Sequence, residues 1–317
     1  MQTMVFLEQD SLPGTDLSGW QQLPLTLHCY ASTTATEVLA RALAADILVV
    51  NKVQLNAEIL AQLPKLKLIC VTATGVNNID VSAAQRLGIQ VCNARDYALQ
   101  AVPQHAMALL LSIVNQVLPY QQAIKAGLWS RSPMFCLLDH PIRQLAGQTF
   151  CVLGYGGLGQ ATAQLAAAFG MKILIAERPD ADSVRPGRVS FRAALAQADV
   201  LSLHCPATDA NYHLLNAERL SWLKPDAILI NTARGSLIDP VALAAALRHG
   251  QLAAAGLDVL DIEPPPADHP LLAADIPGLL LSPHVGWASQ QAMQNLITQT
   301  TENIQAYLAG ENLRQCH

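Results

Sequence analysis

The chain has 317 residues, 51% hydrophobic and 14% charged, with a net charge of −5 and no cluster of Lys and Arg. That length suits two domains, each with its own core, and the charge pattern excludes the electrostatic footprint of a partner to nucleic acid or an anionic membrane. The seven cysteines, at 29, 70, 92, 136, 151, 205 and 316, are odd in number and form no CxxC pair, so neither a disulfide framework nor a bound metal is expected. The opening "MQTMVFLEQD" turns acidic where a signal peptide would stay apolar. The longest apolar stretch, Ala106 to Leu118, falls short of the roughly 20 residues of a membrane span, and a cytoplasmic protein is the expectation.

Along the chain, short β-branched or apolar runs alternate with alanine- and leucine-rich helical segments, the pattern of parallel strands joined by crossover helices. The first series of strands is expected at 4–7, 25–29, 46–50, 66–71 and 89–93, with helices such as Thr36 to Ala44 between them. A long helix is predicted from Pro103 to Leu118. A second series follows at 149–154, 172–176, 199–204, 227–232, 253–259 and 279–283, six strands that suffice for one doubly wound sheet. "EPPPADHP" (263–270) reads as a rigid, exposed loop, and a last helix is predicted from Gln290 to Leu308. The fold class is therefore α/β.

The segment "CVLGYGGLGQATAQLAAAFG" holds GxGxxG as Gly154, Gly156 and Gly159, directly after a strand and at the head of a helix. In that context the run Gly154, Tyr155, Gly156, Gly157, Leu158 and Gly159 reads as a dinucleotide turn, its backbone close to a pyrophosphate at the positive end of the helix. Glu177 ends the next strand, 18 positions after Gly159. A carboxylate there accepts from the adenine ribose hydroxyls and repels a 2′-phosphate, which favours NAD(H). Its rival is a merely solvated glutamate. Arg178 keeps NADPH open as the lesser alternative, since a guanidinium can pair with that phosphate.

Three further stretches end late strands, where open α/β sheets hold their ligands: "NTARGSLID" with Arg234, "GLDVLDIEP" with Asp258 and Glu263, and "SPHVGW" with His284. With these motifs in this order the chain resembles the D-isomer-specific 2-hydroxyacid dehydrogenase family over nearly its whole length. "NKV" (51–53), "TATGVNNID" (72–80), "VPQHAMALLL" (102–111), "FCLLDHPIRQLAG" (135–147), "HCP" (204–206) and "WAS" (287–289) point to members that interconvert hydroxypyruvate and D-glycerate, and also take glyoxylate.

The resemblance implies two doubly wound parallel-sheet domains. A Rossmann NAD-binding domain, residues 99–289, is inserted into a flavodoxin-like substrate-binding domain made of 1–98 and 290–317. It implies a homodimer, with the helix from Pro103 contributing. Arg234 would grip the substrate carboxylate through its planar fork, and His284 would exchange a proton with the carbonyl oxygen. Glu263 would bond the other ring nitrogen, set the tautomer and keep the protonated form available. Asp258 would receive the nicotinamide carboxamide. His204, Cys205, Pro206, Thr232, Ala233 and His284 are expected beside the cofactor; apart from that, His204 is structural, with no second soft ligand at metal-binding spacing.

For the substrate, backbone amides of Gly75 and Val76 are expected to meet the carboxylate, with Lys52 as a further contact. Trp287 and Phe135 either wall the pocket or simply pack, and His105 reads as a core or interface histidine. Two alternatives stand beside this reading. One is another dehydrogenase of the family, such as one acting on phosphoglycerate, and the other is a non-enzymatic NAD-sensing corepressor.

Overall fold

Ile47–Val50 (ILVV) and Leu68–Val71 (LICV) are apolar at every position and buried at every position. Strands buried on both faces belong inside a parallel sheet covered above and below by helices. The computed structural model describes residues 1–316; His317, the end of the second substrate-domain segment expected above, lies outside the described residues. The chain divides into two compact units, Met1–Ala98 with Ala288–His317, and Leu99–Trp287. The second boundary falls two residues before the expected Ser289/Gln290 junction: Ser289 caps the helix that follows it (Ala292 N to Oγ, 3.1 Å) and goes with it, while the Trp287 indole N–H donates to the His284 carbonyl (2.9 Å) and stays with the segment before.

In the first unit, β1 (Gln2–Phe6), β2 (Leu25–Cys29), β3 (Ile47–Val50), β4 (Leu68–Val71) and β5 (Gln90–Cys92) pair in parallel in the order β2-β1-β3-β4-β5. This is the flavodoxin-like order. Val5, Leu48, Val50, Ile69 and Val71 form one face of its core with Leu55 and Leu60. The helix Gln290–Leu308 belongs to this unit and starts where predicted, capped by Ser289 Oγ, which accepts from Ala292 N (3.1 Å). Its buried residues Met293, Leu296, Ile297, Thr300 and Ile304 recur at helical spacing. The buried Trp20 donates its indole N–H to Thr301 Oγ1 on this helix (2.9 Å).

The second unit carries β6 (Thr149–Leu153), β7 (Lys172–Ala176), β8 (Val200–Leu203), β9 (Ile228–Asn231), β10 (Ala254–Leu257) and β11 (Leu279–Leu281), all parallel, in the order β11-β10-β9-β8-β6-β7. A single parallel bridge, Ala176 to Val189, adds the stub of a further strand beyond β7, completing a Rossmann-type order. β6 has β7 on one side and β8 on the other, so the chain leaves it in opposite directions and opens a crevice at its carboxyl end. Successive residues point to opposite faces: Val152, Ile228 and Ile230 join one core cluster, while Cys151, Leu153 and Leu229 join the other.

The helix Ala101–Val114 covers the first of these faces, with Ala106, Leu109 and Leu110 in the same cluster. It is shorter than the predicted Pro103–Leu118. Gln116 takes a left-handed conformation (φ 54°), which breaks the hydrogen-bond ladder, and a second helix, Val117–Lys125, departs at 57°. Pro103 is tolerated because it lies in the first turn, where its missing N–H has no partner to lose. Among the described residues no single helix is long and apolar enough to cross a membrane.

Leu229 is fully buried at the middle of β9. Leu229→Ala is expected to lower stability by about 2–5 kcal/mol through lost transfer energy and the cavity left behind, read as a shifted midpoint in urea denaturation.

Candidate active site

The turn after β6 is built around Gly154, whose φ of +95° few side chains adopt. A Cβ there would lie 2.5 Å from the Cys205 nitrogen and 2.7 Å from the His204 carbonyl oxygen. The glycine thus lets the turn press against the His204–Cys205–Pro206 strand end. His204 N–H donates to the Leu153 carbonyl (2.7 Å), and its Nε2 bonds Ser202 Oγ (2.8 Å). Burial pushes His204 down to about 4 and the Cys205 thiol up to about 11, so both are neutral near pH 7.

The helix Gly157–Ala168 begins at Gly156 with no side-chain cap among the described residues, and a Cβ at Gly156 would meet nothing within 4 Å. Its first N–H groups are therefore approachable by an anion. Thr232 Oγ1, just past β9, is buried with no hydrogen-bond partner among the described residues. An open helix N-terminus, a glycine cradle and an orphaned hydroxyl fit a dinucleotide.

Glu177 is 1% exposed, so it is not the solvated strand-end residue that was its rival reading. Its Oε1 accepts from Arg178 N (2.8 Å) and Arg185 Nη2 (2.5 Å), and its Oε2 from Arg185 Nε (2.7 Å) and Arg185 N (3.2 Å). The Arg185 hydrogen bonds and the backbone amide of Arg178 hold its carboxyl well below the usual range. Arg185 has no signal of its own in the motif, and only its return to the strand end reveals it.

The Arg234, Asp258/Glu263 and His284 stretches follow β9, β10 and β11, which are neighbours in the sheet. Asn231 ends β9 and staples the arginine turn: its Nδ2 donates to the Arg234 carbonyl (2.9 Å) and its Oδ1 accepts from Ala233 N (2.9 Å). The Arg234 side chain is exposed and, among the described residues, makes one hydrogen bond, from Nη1 to the Ala233 carbonyl (2.6 Å). Gly235 packs so closely on the Leu260 carbonyl that no Cβ fits, which brings the arginine turn against the segment leading to Glu263.

His284 Nδ1 bonds Glu263 Oε2 at 2.6 Å, and Glu263 Oε1 accepts from Leu260 N (2.9 Å). Since an ionised carboxylate only accepts, Nδ1 carries the hydrogen and Nε2 is left for other chemistry; Nε2 has no partner among the described residues. His284 has a φ of 53°, a left-handed conformation of the kind that gathers at functional sites.

Asp258 organises this turn. Its Oδ1 accepts from Ser282 Oγ (2.6 Å) and Val285 N (3.0 Å), its Oδ2 from Gly286 N (2.8 Å), and its carbonyl from His284 N (2.8 Å). His105 Nε2 reaches Ser282 Oγ (2.8 Å) and Asp258 Oδ1 (3.2 Å). The serine hydrogen is already committed to the carboxylate, so His105 is the donor in both contacts. Burial works to raise the Asp258 carboxyl, but the bonds from His105, Ser282, Gly286 and Val285 outweigh it and hold it below the usual aspartate range. His105, expected as a core or interface histidine, is a donor to this buried network, and it was legible only as a histidine on an apolar helix. Trp287, through its bond to the His284 carbonyl, braces the same turn.

In the first unit, Glu8 Oε2 accepts from the backbone amides of Asn51 (2.7 Å), Lys52 (2.8 Å) and Val53 (2.9 Å), which fixes the NKV loop. The TGVNN loop is joined to it by Asn78 Nδ2, a donor to the Val53 carbonyl (2.9 Å), and by Leu55 N, a donor to the Asn78 carbonyl (2.8 Å). Gly75 and Val76 are half-buried in this loop, and their backbone N–H groups meet no backbone or side-chain acceptor among the described residues. Phe135 neither packs nor walls a pocket within the chain, being 88% exposed.

Asp258→Asn places an amide donor against an amide donor of the turn, because Asn cannot accept at both positions. A loss of about 1–3 kcal/mol is expected for the unsatisfied buried groups, measurable by denaturation of the purified protein; unchanged stability would dismiss the network.

Residues 107–286 match the family described as D-isomer specific 2-hydroxyacid dehydrogenase, NAD binding domain. The chain is 41% identical to a glycerate dehydrogenase of Methylorubrum extorquens, over 97% of this chain and 96% of that one. It is 35% identical to a hydroxypyruvate reductase of Blautia hydrogenotrophica over 92% of each. Among solved structures, the TT0316 protein of Thermus thermophilus superposes with a TM-score of 0.88 at 34% identity, covering 100% of both chains. With a glycine turn at a Rossmann switch point and an Arg, Glu and His set on adjacent strand ends, the chain belongs to the D-isomer-specific 2-hydroxyacid dehydrogenase family and is an NAD-dependent enzyme of that family.

Proposed function

We propose that the protein interconverts hydroxypyruvate and D-glycerate, and also reduces glyoxylate. The observation that carries the proton chemistry is the 2.6 Å bond between His284 Nδ1 and Glu263 Oε2. It orients the ring and leaves Nε2 as the group that gives a proton to the carbonyl oxygen in reduction and takes it back in oxidation. Arg234, with an exposed guanidinium after β9 at the same end of the sheet, grips the substrate carboxylate and polarises the adjacent ketone. The amides of Gly75 and Val76 are further carboxylate donors, with Lys52 as an added contact. NAD(H), when bound, supplies or accepts the hydride at C2. Gly154 to Gly159, Thr232, Ala233 and the His204 to Pro206 strand end hold it; Asp258, expected to receive the carboxamide directly, has its oxygens engaged by Ser282, Val285, Gly286 and His105, and acts instead through the turn it braces. The choice of a three-carbon keto acid is supported by relatives named glycerate dehydrogenase and hydroxypyruvate reductase.

The unit Leu99–Trp287 accordingly serves as the cofactor domain, and Met1–Ala98 with Ala288–His317 as the substrate domain. Between 117 and 142 the surface is unusually apolar, with Leu118, Trp129, Met134, Phe135, Leu138 and Ile142 all exposed. Apolar surface of this extent marks an interface, and a second copy of the chain is its occupant. Seven unpaired thiols suit a reducing cytoplasm.

With NADH, hydroxypyruvate is expected to give the highest kcat/KM in a panel with glyoxylate, pyruvate and phosphohydroxypyruvate, and negligible turnover of it would overturn the assignment. His284→Asn, chosen because asparagine tolerates the left-handed backbone, should lower kcat by at least ~100-fold with NADH affinity retained. Arg234→Lys should raise KM and lower kcat together. Light scattering is expected to report a dimer that Phe135→Asp with Leu138→Asp converts to a monomer.

A further inference from the structure

A carboxylate at the end of the second Rossmann strand excludes a 2′-phosphate in two ways, by accepting from the ribose hydroxyls and by repelling a phosphate dianion. Both need a carboxylate that is open and uncompensated. Glu177 is neither. A carboxylate has about four lone-pair sites, and Arg178 N, Arg185 N, Arg185 Nε and Arg185 Nη2 occupy them. The bidentate guanidinium cancels the charge, and Arg188 Nε stands 4.0 Å from the same Oε2.

The surroundings then turn cationic. Arg178 follows directly on the strand end with an exposed side chain, and Arg188 donates to the Ala176 carbonyl (3.5 Å) at the end of β7. Asp180 and Asp182 lie in the same loop, so its formal charge sums to zero, but among the described residues neither pairs with any of the three arginines. The Arg178 guanidinium is thus exposed and Arg188 stands beside the end of β7, with no acidic side chain of this loop other than Glu177 pairing with them among the described residues.

We infer that Glu177 is neutralised by Arg185 so that the ribose end of the cofactor site accepts a 2′-phosphate on Arg178 and Arg188, and the protein binds NADP(H) as well as NAD(H). This rests on the reading of Gly154 to Gly159 as the cofactor turn. Arg185 is then a specificity-determining residue that touches no substrate. It acts by occupying the one carboxylate able to discriminate.

The test is calorimetric titration of the purified protein with NADH, NADPH, AMP and adenosine 2′,5′-bisphosphate. NADPH is expected within about tenfold of NADH in Kd, and the bisphosphate at least as tight as AMP, with that advantage shrinking as salt rises. Arg185→Ala releases the carboxylate and should shift the NADPH-to-NADH affinity ratio toward NADH by more than about tenfold. Should that variant fail to fold, the surface change Arg178→Ala serves, with an expected shift of about tenfold in the same direction from one lost charge-assisted contact. A wild-type preference for NADH above about 100-fold, or variants that leave the ratio unmoved, would overturn the inference while the cofactor turn stands. Binding of neither dinucleotide would overturn the cofactor turn itself, and the inference with it.

Discussion

The Asp258 carboxylate carries its charge almost out of water, and a charge held there is tolerable only when donors surround it. The donors come from three directions: His105 on the helix Ala101–Val114, Ser282 just past β11, and the backbone amides of Val285 and Gly286. One anion thereby joins two adjacent strand ends to the helix that covers the sheet. The turn that results holds His284 in a left-handed conformation that is uncommon for any residue but glycine. The imidazole is aimed by its neighbours in sequence only because a carboxylate 26 residues away gathers them.

Around that turn the remaining chemistry falls into place by adjacency of strands. β9, β10 and β11 are consecutive in the sheet, so residues some 50 positions apart in the chain, Arg234 and His284, come from the same end of the same layer. Gly235 lets the arginine turn lie against the Leu260 carbonyl, and the chain from Leu260 then delivers Glu263 to the ring. The joint effect of these contacts is orientation, which is what a proton transfer at a carbonyl demands.

The same logic of compensated charge recurs at the other end of the cofactor turn. Glu177 is buried beneath Arg185 much as Asp258 is buried beneath its donors. In one place the compensation builds the His284 turn, and in the other it pairs the carboxylate that follows the second Rossmann strand with a guanidinium. A carboxylate's role is thus set by what has already bound it, a quantity no motif spacing encodes.

The alternation of apolar runs and helical segments was enough to indicate an α/β chain with two series of parallel strands, because burial on both faces leaves its mark in every residue of such strands. The glycine turn and the Arg, Glu and His stretches were legible for a similar reason, since close backbone approach and specific proton chemistry restrict the residue type itself. The end of the helix at Val114 was missed: Asn115 just past it is a weak stop, and the apolar run continuing through Val117 and Leu118 masked it, whereas the left-handed Gln116 that breaks the ladder is visible only in the backbone. Nor could spacing foretell that Asp258 would brace the histidine turn, that His105 would donate to it, or that Arg185 would return across a loop to occupy Glu177. Sequence alone determined the class of fold and the kinds of chemical group available. Only the tertiary structure decided which groups are already satisfied by one another and which remain free to act, because hydrogen bonds between distant residues depend on where the sheet brings them.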